Sequence, residues 1–501
     1  MSSDKCYLVP AQKPVDNEEP TIAEKEVMPS LVYFIEANDP RDNEEMISKR
    51  QEVLHKIEYL ICEFVRGIAK KKGEAEDEED LQTIKGMLAP YGSYRLGVVS
   101  QGSDIDCICV APQFVERKDF FSVFFDMLKG NSSIKDLLKI ENAYSPIMSM
   151  KFDGIELDIS FAQIAQRTVN ENVDFESDEI LENIDDFSVR SLNGRRVNDL
   201  LLKLVPDVYS FLALLRFTRI WAKRRCVYGN VFGYLGGVNL AILAAFICQR
   251  YPRKSPAFLI LKFFSDLATW EWPAPIYINT PTNPSQAQAS RSNWDQSKPT
   301  DHKDLFPIIT PSFPTINSFR SATKSTKEYL LREFKIGEAN TKDVIEKSKP
   351  WDIVVQNTTF FIHWRKFVEV QIWAENEEKL KNWHGFVQSR IRNLAISLEN
   401  SRFIEFAFPF PKGFSSDQYN DHPHSYTFYI ALKYHIPKTE NVARVINISV
   451  PATQWVQELK KSENFQEVSI QLLGSEQLPT FVFPNGERPQ RDNHISKAKP
   501  N

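Results

Sequence analysis

Three aspartates and a Gly-Ser pair have the residue types and spacing for two-metal chemistry on a phosphate. Gly92-Ser93 precedes Asp104-Ile105-Asp106 by ten residues, and Asp158 lies in a second strand-like segment. Aspartates at i and i+2 of a strand project from the same face, so their carboxylates can share a pair of divalent cations. Asp158 would complete the cation nearest the attacking hydroxyl. We expect two Mg²⁺ (or Mn²⁺) ions, because such ions prefer oxygen ligands.

An isolated Asp-x-Asp is common in turns and on surfaces, but this one lies in an apolar segment. Buried like charges are costly without a cation, so metal ligation is favoured over a surface pair. Gly92 would let the backbone approach a phosphate, and Ser93 offers it a hydroxyl and an N–H. A two-metal nuclease would share the carboxylates, but it gives no reason for this phosphate-binding pair.

Periodicity predicts the elements that position these side chains. Residues 103–111 and 155–161 alternate as strands, with Ile105, Cys107 and Cys109 opposite Asp104, Asp106 and Ile108. Helices are predicted over 44–69, 206–225 and 238–250. Beyond residue 360, strands at 361–373, 425–436 and 444–449 flank a helix at 378–398. This pattern is typical of a small α+β domain.

One predicted helix carries a basic face. Arg216, Arg219 and Lys223 recur at i, i+3 and i+7. By themselves they fit a solvated face near a helix C-terminus, where cations suit the dipole. Next to the acidic motif, we interpret them as contacts to a triphosphate that bridges the basic face and the aspartates.

Composition narrows the class of protein. The 501 residues carry a net charge of −5, which argues against a dedicated duplex-DNA binder. The six cysteines include no C-x-x-C pair, so we do not expect a structural zinc site. This cysteine usage fits a protein of a reducing compartment. There is no signal pattern, and the apolar stretch 231–248 is interrupted by glycines. We therefore predict a loop followed by a buried helix, and no membrane segment.

Gly-Ser followed by Asp-x-Asp resembles the signature of the polymerase-beta-like nucleotidyltransferase superfamily. The fuller string YGSYRLGVVSQGSDIDCICVAP resembles eukaryotic poly(A) polymerases closely. FDGIELDISFAQ, SLNGRRV, IWAKRRCVYGNVFGYLGGVNLA, WEWPAP and FPIITPSFP follow in family order. A weaker match continues through FFIHWRKF and WHGFVQSRIRNL, so the resemblance covers roughly residues 20–470.

The resemblance implies roles for individual residues. Asp104, Asp106 and Asp158 would be the catalytic and metal-binding triad. The ATP site would comprise these three residues with Tyr91, Gly92, Ser93, Ser100, Ile105, Arg219, Tyr228, Asn230, Gly237 and Val238. Within that set, Asn230, Gly237 and Val238 would help enclose the base and ribose, and Tyr228 would reach the triphosphate.

Three positions depart from the family pattern. Arg219 stands where the family usually has a lysine that contacts the triphosphate, and a planar guanidinium is not a point ammonium. Tyr91 replaces a common Phe, and Phe306 stands where the family often has Met near the base. We expect these substitutions to affect the triphosphate geometry and the choice of nucleotide.

The resemblance also implies an architecture and partners. We expect a mobile tail (1–20), an α+β palm (21–200), a mostly helical middle domain that closes over ATP (201–350), a ferredoxin-like RNA-binding domain (351–484) and a loose tail (485–501). The reaction would be template-independent transfer of AMP to the 3′ end of RNA. The expected partners are pre-mRNA 3′ ends, ATP and 3′-end processing factors, with the protein a monomer in the nucleus.

Two alternatives stay open. Another terminal transferase, for example one that adds uridylate, would use the same carboxylates with a different base pocket. A catalytically impaired RNA-binding paralogue would keep the fold and lose the activity. The retained aspartates argue against the second alternative, whereas the substitutions at Tyr91, Arg219 and Phe306 argue for it.

Overall fold

A computed structural model describes residues 11–141, 145–281, 291–415, 422–435, 446–483 and 486–489. A mixed sheet with helices comes first, a helical region follows, and a second sheet with helices ends the chain. The predicted α+β class is confirmed.

The palm is built on a five-stranded sheet. Its strands are β1 (Met87–Pro90), β2 (Ile105–Pro112), β3 (Ile134–Ile140), β4 (Ile147–Phe152) and β5 (Ile155–Ile164). Their spatial order is β1-β2-β5-β4-β3, and only β2 and β5 run parallel. Because these two central strands are parallel neighbours, residues near their N-terminal ends meet at one edge of the sheet.

The predicted alternation in β2 is confirmed, because its two faces enter different cores. Cys107 lies with residues of the long helix α3, and Ile108 lies with residues of helix α8. The palm helices are α1 (Ile22–Glu26), α2 (Met28–Asn38), α3 (Glu44–Lys72), α4 (Glu78–Thr83), α5 (Gly92–Leu96), α6 (Arg117–Asp119), α7 (Phe125–Lys129) and α8 (Asp186–Leu204). A π-helical turn, Phe120–Phe124, joins α6 to α7.

Helix α3 shows how local sequence sets the bounds of an element. The Asn43 side chain accepts a hydrogen bond from the Met46 N–H, which caps the first turn. Three lysines occupy the last turn, where cations suit the helix dipole. Gly73 ends the helix with φ +71°, in the left-handed region that favours glycine.

The first described residues lie on the middle region, ahead of the palm in the chain. Residues 11–20, which we placed in a mobile tail, hydrogen-bond to that region: Ala11 N–H donates to Ile278 O (3.3 Å) and Val15 N–H to Arg250 O (2.8 Å). Residues of α1 and α2 continue this contact, with Ser255 Oγ donating to Glu24 (3.3 Å). Helices α1 and α2, which we assigned to the palm, therefore pack against the middle helices.

The middle region consists mainly of α9 (Val208–Arg224), α10 (Gly237–Arg250), α11 (Pro256–Thr269) and α12 (Lys324–Lys347). The stretch 231–248 is a loop followed by a buried helix, as predicted: a short 3₁₀ turn, Asn230–Phe232, precedes α10. The predicted long loop at 273–300 lies partly outside the described residues. Across the described ranges, we find no helix with the length and apolarity to span a membrane.

The C-terminal region has the sheet order β10-β6-β9-β7, with β8 paired to β9. Its elements are α13 (Phe360–His363), β6 (Lys366–Trp373), α14 (Glu377–Gln388), α15 (Ile391–Glu399), β7 (Ile404–Pro409), β8 (Phe414–Ser415), β9 (Ser425–Tyr434), α16 (Ser449–Leu459) and β10 (Glu467–Gly474).

Three predicted elements in this region were wrong in part. The strand predicted at 361–373 begins as a helical turn, α13, and the single helix at 378–398 is two helices that part at Ser389 and Arg390. Of the strand predicted at 444–449, residues 444 and 445 lie outside the described residues. Residues 446–448 form no strand, and Ser449 begins α16. Pro451 fits the first turn of that helix, where its missing N–H leaves no hydrogen bond unmade.

Candidate active site

The three aspartates converge at the edge of the palm sheet. Asp106 in β2 is paired directly with Asp158 in the parallel strand β5, and Asp104 stands one residue before β2. One carboxylate oxygen from each of the three lies within 4.8 Å of the others. Asp104 is exposed, whereas Asp106 and Asp158 are half-buried. The sequence predicted that Asp104 and Asp106 share a face, and the parallel register brings the third carboxylate beside them.

Burial and mutual repulsion make ionisation of this carboxylate cluster unfavourable. Burial, together with the charges of Asp104 and Asp158, raises the pKa of Asp106 to about 7. Burial also raises the pKa of Asp158, against a hydrogen bond from Ser149 that lowers it. Oxygen ligands this close, with repulsion between them, fit a divalent cation, which would restore full ionisation.

The Gly92 position is set by its contact with the triad. Its φ is +66°, and a Cβ built there would lie 2.4 Å from Asp106 Oδ2, so a larger residue would displace the carboxylate. Its N–H donates to Asn198 Oδ1 (2.6 Å), and the preceding Tyr91 N–H donates to the Asp106 carbonyl (2.9 Å). The loop is therefore held against β2 from both sides.

Tyr91 is packed between the palm sheet and α8. A Cβ on Gly194 would lie 2.8 Å from Tyr91 Cδ2, so α8 accommodates this ring by having no side chain there. Burial raises the pKa of the Tyr91 hydroxyl, and the charge of Asp106 adds to the increase. The hydroxyl therefore stays protonated beside the carboxylates.

The wall opposite the acids is basic. Arg219 Nη1 donates to the Val98 carbonyl, which orients its guanidinium. Lys223 Nζ lies 5.8 Å from the centre of the Tyr228 ring. Burial lowers the pKa of Lys223, and the charge of Arg219 lowers it further. Burial raises the pKa of Tyr228, although Arg219 opposes that shift.

Arg216 does not belong to this wall, which corrects the prediction of a single basic face. Its buried side chain points to α2, where Nη1 donates to Glu36 Oε1 (2.6 Å) and Nε to Asp39 Oδ2 (3.1 Å). Residues at i and i+3 share a broad helix face, but here α2 covers one part of that face. Arg216 therefore anchors α2 to α9.

A cavity of about 690 Å³ separates the acidic and basic walls. From the predicted ATP set, the residues that line it are Tyr91, Gly92, Ser93, Asp104, Asp106, Arg219, Tyr228, Gly237 and Val238. Val238 and Ile316 keep 40% and 42% of their surface exposed. Two apolar side chains open to this cavity could flank the faces of a base.

Four predicted residues stand apart from this lining. Asp158 belongs to the carboxylate cluster without lining the cavity, and Ile105 points into the α3 core. The Ser100 hydroxyl donates to Asp39, and Asn230 Nδ2 donates to the Ser318 carbonyl (3.4 Å). Roles for Ser100, Ile105 and Asn230 at the nucleotide stay predictions.

Phe306 lies in the hydrophobic core of the middle region. It is fully buried, and its ring stacks on Trp272 with centroids 3.6 Å apart. It does not line the described cavity. Phe306 therefore does not contact the cavity directly, and its effect on nucleotide choice stays a prediction.

Sequence reasoning missed two sets of cavity residues. Arg190, Asn193 and Asn198 project from α8, and Thr310 and Ser318 come from the loop before α12. Asn193 lies within the SLNGRRV block and Thr310 within the FPIITPSFP block, and the other three residues lie close outside them, so the available signal was polar residues in and near these blocks. These blocks mark the family, but their sequence does not indicate which polar side chains face the cavity.

The chain is similar to known proteins over most of its length. Three family models match in order: the poly(A) polymerase nucleotidyltransferase domain over residues 12–205, the poly(A) polymerase central domain over 210–357, and the poly(A) polymerase predicted RNA binding domain over 359–424. Among solved structures, Cid1, titled for its RNA terminal uridylyl transferase activity, has a TM-score of 0.45 at 13% identity and covers 67% of this chain and 99% of its own. The mtPAP complex with GTP has a TM-score of 0.43 at 14% identity, covering 71% and 80%.

Curated relatives match over most of the chain. A poly(A) polymerase of Dictyostelium discoideum is 32% identical over 440 residues, which is 86% of this chain and 54% of the relative. Nuclear poly(A) polymerase 1 of Arabidopsis thaliana is 33% identical over 451 residues, which is 88% of this chain and 61% of the relative. The chain thus spans between half and two thirds of the length of these relatives. On the three matched domains and these identities, the chain belongs to the poly(A) polymerase family.

Proposed function

We propose that this protein is a polynucleotide adenylyltransferase, which adds AMP from ATP to RNA 3′ ends without a template. The observation that carries the proposal is a cavity with the cluster of three aspartates at one side, two of which line it, and the cations Arg219 and Lys223 on the other side. A nucleoside triphosphate held by divalent ions complements both walls. Family membership supports adenylate as the group transferred.

In this reaction the RNA 3′-hydroxyl oxygen forms a bond to the α-phosphorus of ATP. The bond between that phosphorus and the bridging oxygen breaks, and pyrophosphate leaves. Asp104, Asp106 and Asp158 would hold two divalent ions, Mg²⁺ or Mn²⁺, which activate the hydroxyl and stabilise the leaving group. One of these carboxylates would accept the proton of the hydroxyl.

The opposite wall would orient the substrate. Arg219 and Lys223 would bind the β- and γ-phosphates, and the protonated Tyr228 hydroxyl could donate a hydrogen bond to them. The guanidinium of Arg219 is fixed by the Val98 carbonyl, so its remaining donors have a set direction. Gly237 and Val238 would bound the base, and since no template strand selects it, selectivity must come from this pocket.

The wider setting is proposed on the same basis. The palm (21–200) would carry the acids, the middle domain (201–350) would close over ATP, and the C-terminal domain (351–484) would bind RNA. Two relatives from Arabidopsis thaliana are named nuclear poly(A) polymerases, and these names support a nuclear location and pre-mRNA as the substrate. We also propose a monomer that associates with 3′-end processing factors. Light scattering of the purified chain tests the monomer.

The test is extension of a labelled oligo(A) primer by the purified chain with each of the four NTPs, in Mg²⁺ and in Mn²⁺. We expect tails with ATP, and no tails from Asp106→Ala. Asp126→Ala, which removes an exposed palm carboxyl, is the matched control and should extend normally. Tails with UTP instead would indicate a uridylyltransferase. RNA binding without extension in either metal would indicate an impaired paralogue.

A further inference from the structure

A row of cations continues from the cavity onto the C-terminal domain. Arg219 and Lys223 are four residues apart on α9, so they share a face of that helix. Lys412 acts electrostatically on Lys223, and it lies in the turn between β7 and β8. Its side chain is exposed.

The turn that carries Lys412 rests against the cavity wall. A Cβ built on Gly229 would lie 3.5 Å from Pro411 Cβ, and Gly229 directly follows the cavity residue Tyr228. Close by, the Phe232 and Phe428 rings pack with centroids 6.3 Å apart. The C-terminal sheet thus meets the middle region beside the cavity wall, and Lys412 directly follows the contacting residue Pro411.

Electrostatic effects agree with this placement. The charge of Lys412 acts on Lys223 in the same direction as burial and the charge of Arg219, lowering its pKa. Burial raises the pKa of the Cys226 thiol, the charge of Lys412 opposes that increase, and the net result is a pKa of about 11. Lys412 therefore lies within electrostatic reach of the end of α9.

None of the three cations forms an ion pair with a carboxylate in the part of the chain that the structure describes. Arg219 donates to a backbone carbonyl, Lys223 lies over the Tyr228 ring, and Lys412 points to solvent. Three like charges brought together at a domain boundary repel one another. The arrangement is therefore complementary to a polyanion.

We propose that Lys412 binds the terminal phosphate of the bound nucleoside triphosphate, so that the C-terminal domain completes the triphosphate site. This rests on the proposed function and follows from the positions of the groups. The α-phosphate must lie at the aspartates, where bonds change. Arg219 and Lys223 line the wall that faces the aspartates, and the turn that carries Lys412 packs beside that wall. An RNA backbone phosphate offers the same chemistry from another source, and the test separates the two.

Equilibrium binding of ATP and of ADP to the full chain, with Mg²⁺ and without primer, is measured for wild type and Lys412→Ala. We expect the Kd for ATP to rise about three- to tenfold, the scale of one partly exposed charge contact. The Kd for ADP should stay unchanged, because ADP lacks the terminal phosphate. Lys412→Arg should keep most of the ATP affinity. Lys381→Ala, at an exposed lysine of α14, is the matched control and should have no effect.

Three outcomes would overturn the inference: unchanged ATP affinity in Lys412→Ala, equal losses for ATP and ADP, or weakened binding of an oligo(A) primer with ATP binding intact. The last would assign Lys412 to the RNA backbone. Thermal unfolding of the variant checks that it folds. Failure of the proposed function is seen separately, as wild-type protein that binds ATP but does not extend a primer.

Discussion

Asp106→Asn is expected to stabilise the metal-free protein while abolishing primer extension. Burial and the neighbouring charges of Asp104 and Asp158 raise the pKa of Asp106 from 3.8 to about 7. At about 1.4 kcal/mol per pKa unit, that shift corresponds to about 4 kcal/mol by which ionisation disfavours the folded state. Solvent in the open cavity screens part of this energy. We therefore expect the amide to increase the free energy of unfolding by about 1–3 kcal/mol at pH 8.

The pH dependence of this effect has a defined sign. The pKa of Asp106 is higher in the folded than in the unfolded state, so its protonated carboxyl contributes stability that is fully present below about pH 4. That contribution is lost as the pH rises through about 7. The advantage of Asp106→Asn should therefore be largest at pH 8, and it should shrink by up to about 1.4 kcal/mol for each pH unit below 7.

Thermal unfolding of the full chain in EDTA, at pH 5 and pH 8, measures this difference. A gain of about 1–3 kcal/mol corresponds to roughly 2–12 °C in Tm for a domain the size of the palm. Asp126→Asn, at an exposed carboxyl, should leave Tm nearly unchanged at both pH values. Added Mg²⁺ should raise the Tm of wild type more than that of Asp106→Asn. An Asp106→Asn Tm at pH 8 equal to or below wild type would refute the reasoning that this carboxylate is held against repulsion.

Three further substitutions separate catalytic from structural roles. Gly92→Ala should lower kcat/KM in primer extension about 100-fold, because its Cβ would lie 2.4 Å from Asp106 Oδ2 in a left-handed backbone. Arg216→Ala should destabilise the protein by about 2–4 kcal/mol in denaturant unfolding, because it leaves buried Asp39 without its cation, yet the KM for ATP should change less than twofold. Phe306→Met should cost about 1 kcal/mol of stability and leave the preference among the four NTPs unchanged.

Each of these predictions has its own contrary result. Gly67→Ala is the control for Gly92→Ala, because nothing lies within 4 Å of its Cβ, and it should extend primers normally. Normal extension by Gly92→Ala would mean that the loop can move without disturbing the carboxylate. A large rise in the KM for ATP in folded Arg216→Ala would place that residue at the nucleotide after all. A changed nucleotide preference in Phe306→Met would show that the core around Trp272 shapes the base pocket.

The triad could be predicted because its signal is local. Alternation in β2 alone puts Asp104 and Asp106 on one face, and the residues of the other face are apolar. The sequence could not show which strand lies beside β2 or in what register. The direct pairing of Asp106 with Asp158 depends on a parallel crossover, whose register is set by packing of the helices between.

The error at Arg216 has a different physical origin. Helical periodicity places Arg216, Arg219 and Lys223 within one broad face, but it does not say which neighbours cover that face. Glu36 lies in α2 and Asp39 directly follows it, nearly two hundred residues earlier in a segment predicted to belong to the palm. Burial of an arginine beside two carboxylates is a long-range outcome, and no pattern within α9 contains it.

Sequence patterns did not indicate the α8 residues, because these residues act by positioning the Tyr91-Gly92 segment. Asn198 accepts the Gly92 N–H, and Gly194 leaves room for the Tyr91 ring. In the sequence, a glycine within a helical segment indicates only lower helix propensity. It becomes informative once the ring that occupies the gap is known, and that ring comes from a loop a hundred residues earlier.

Each wall of the cavity brings like charges together, and a single ligand can relieve the repulsion in both walls. Carboxylates whose oxygens approach within 4.8 Å repel, and so do Arg219 and Lys223 on the facing wall. Arg219 and Lys223 do not neutralise the acidic wall directly, because neither forms an ion pair with the three aspartates among the described residues. Divalent cations relieve the first repulsion, and a triphosphate relieves the second. A metal-bound nucleotide would relieve both repulsions. The free energy by which the empty site destabilises the protein and the affinity of the site for this ligand therefore have the same electrostatic origin.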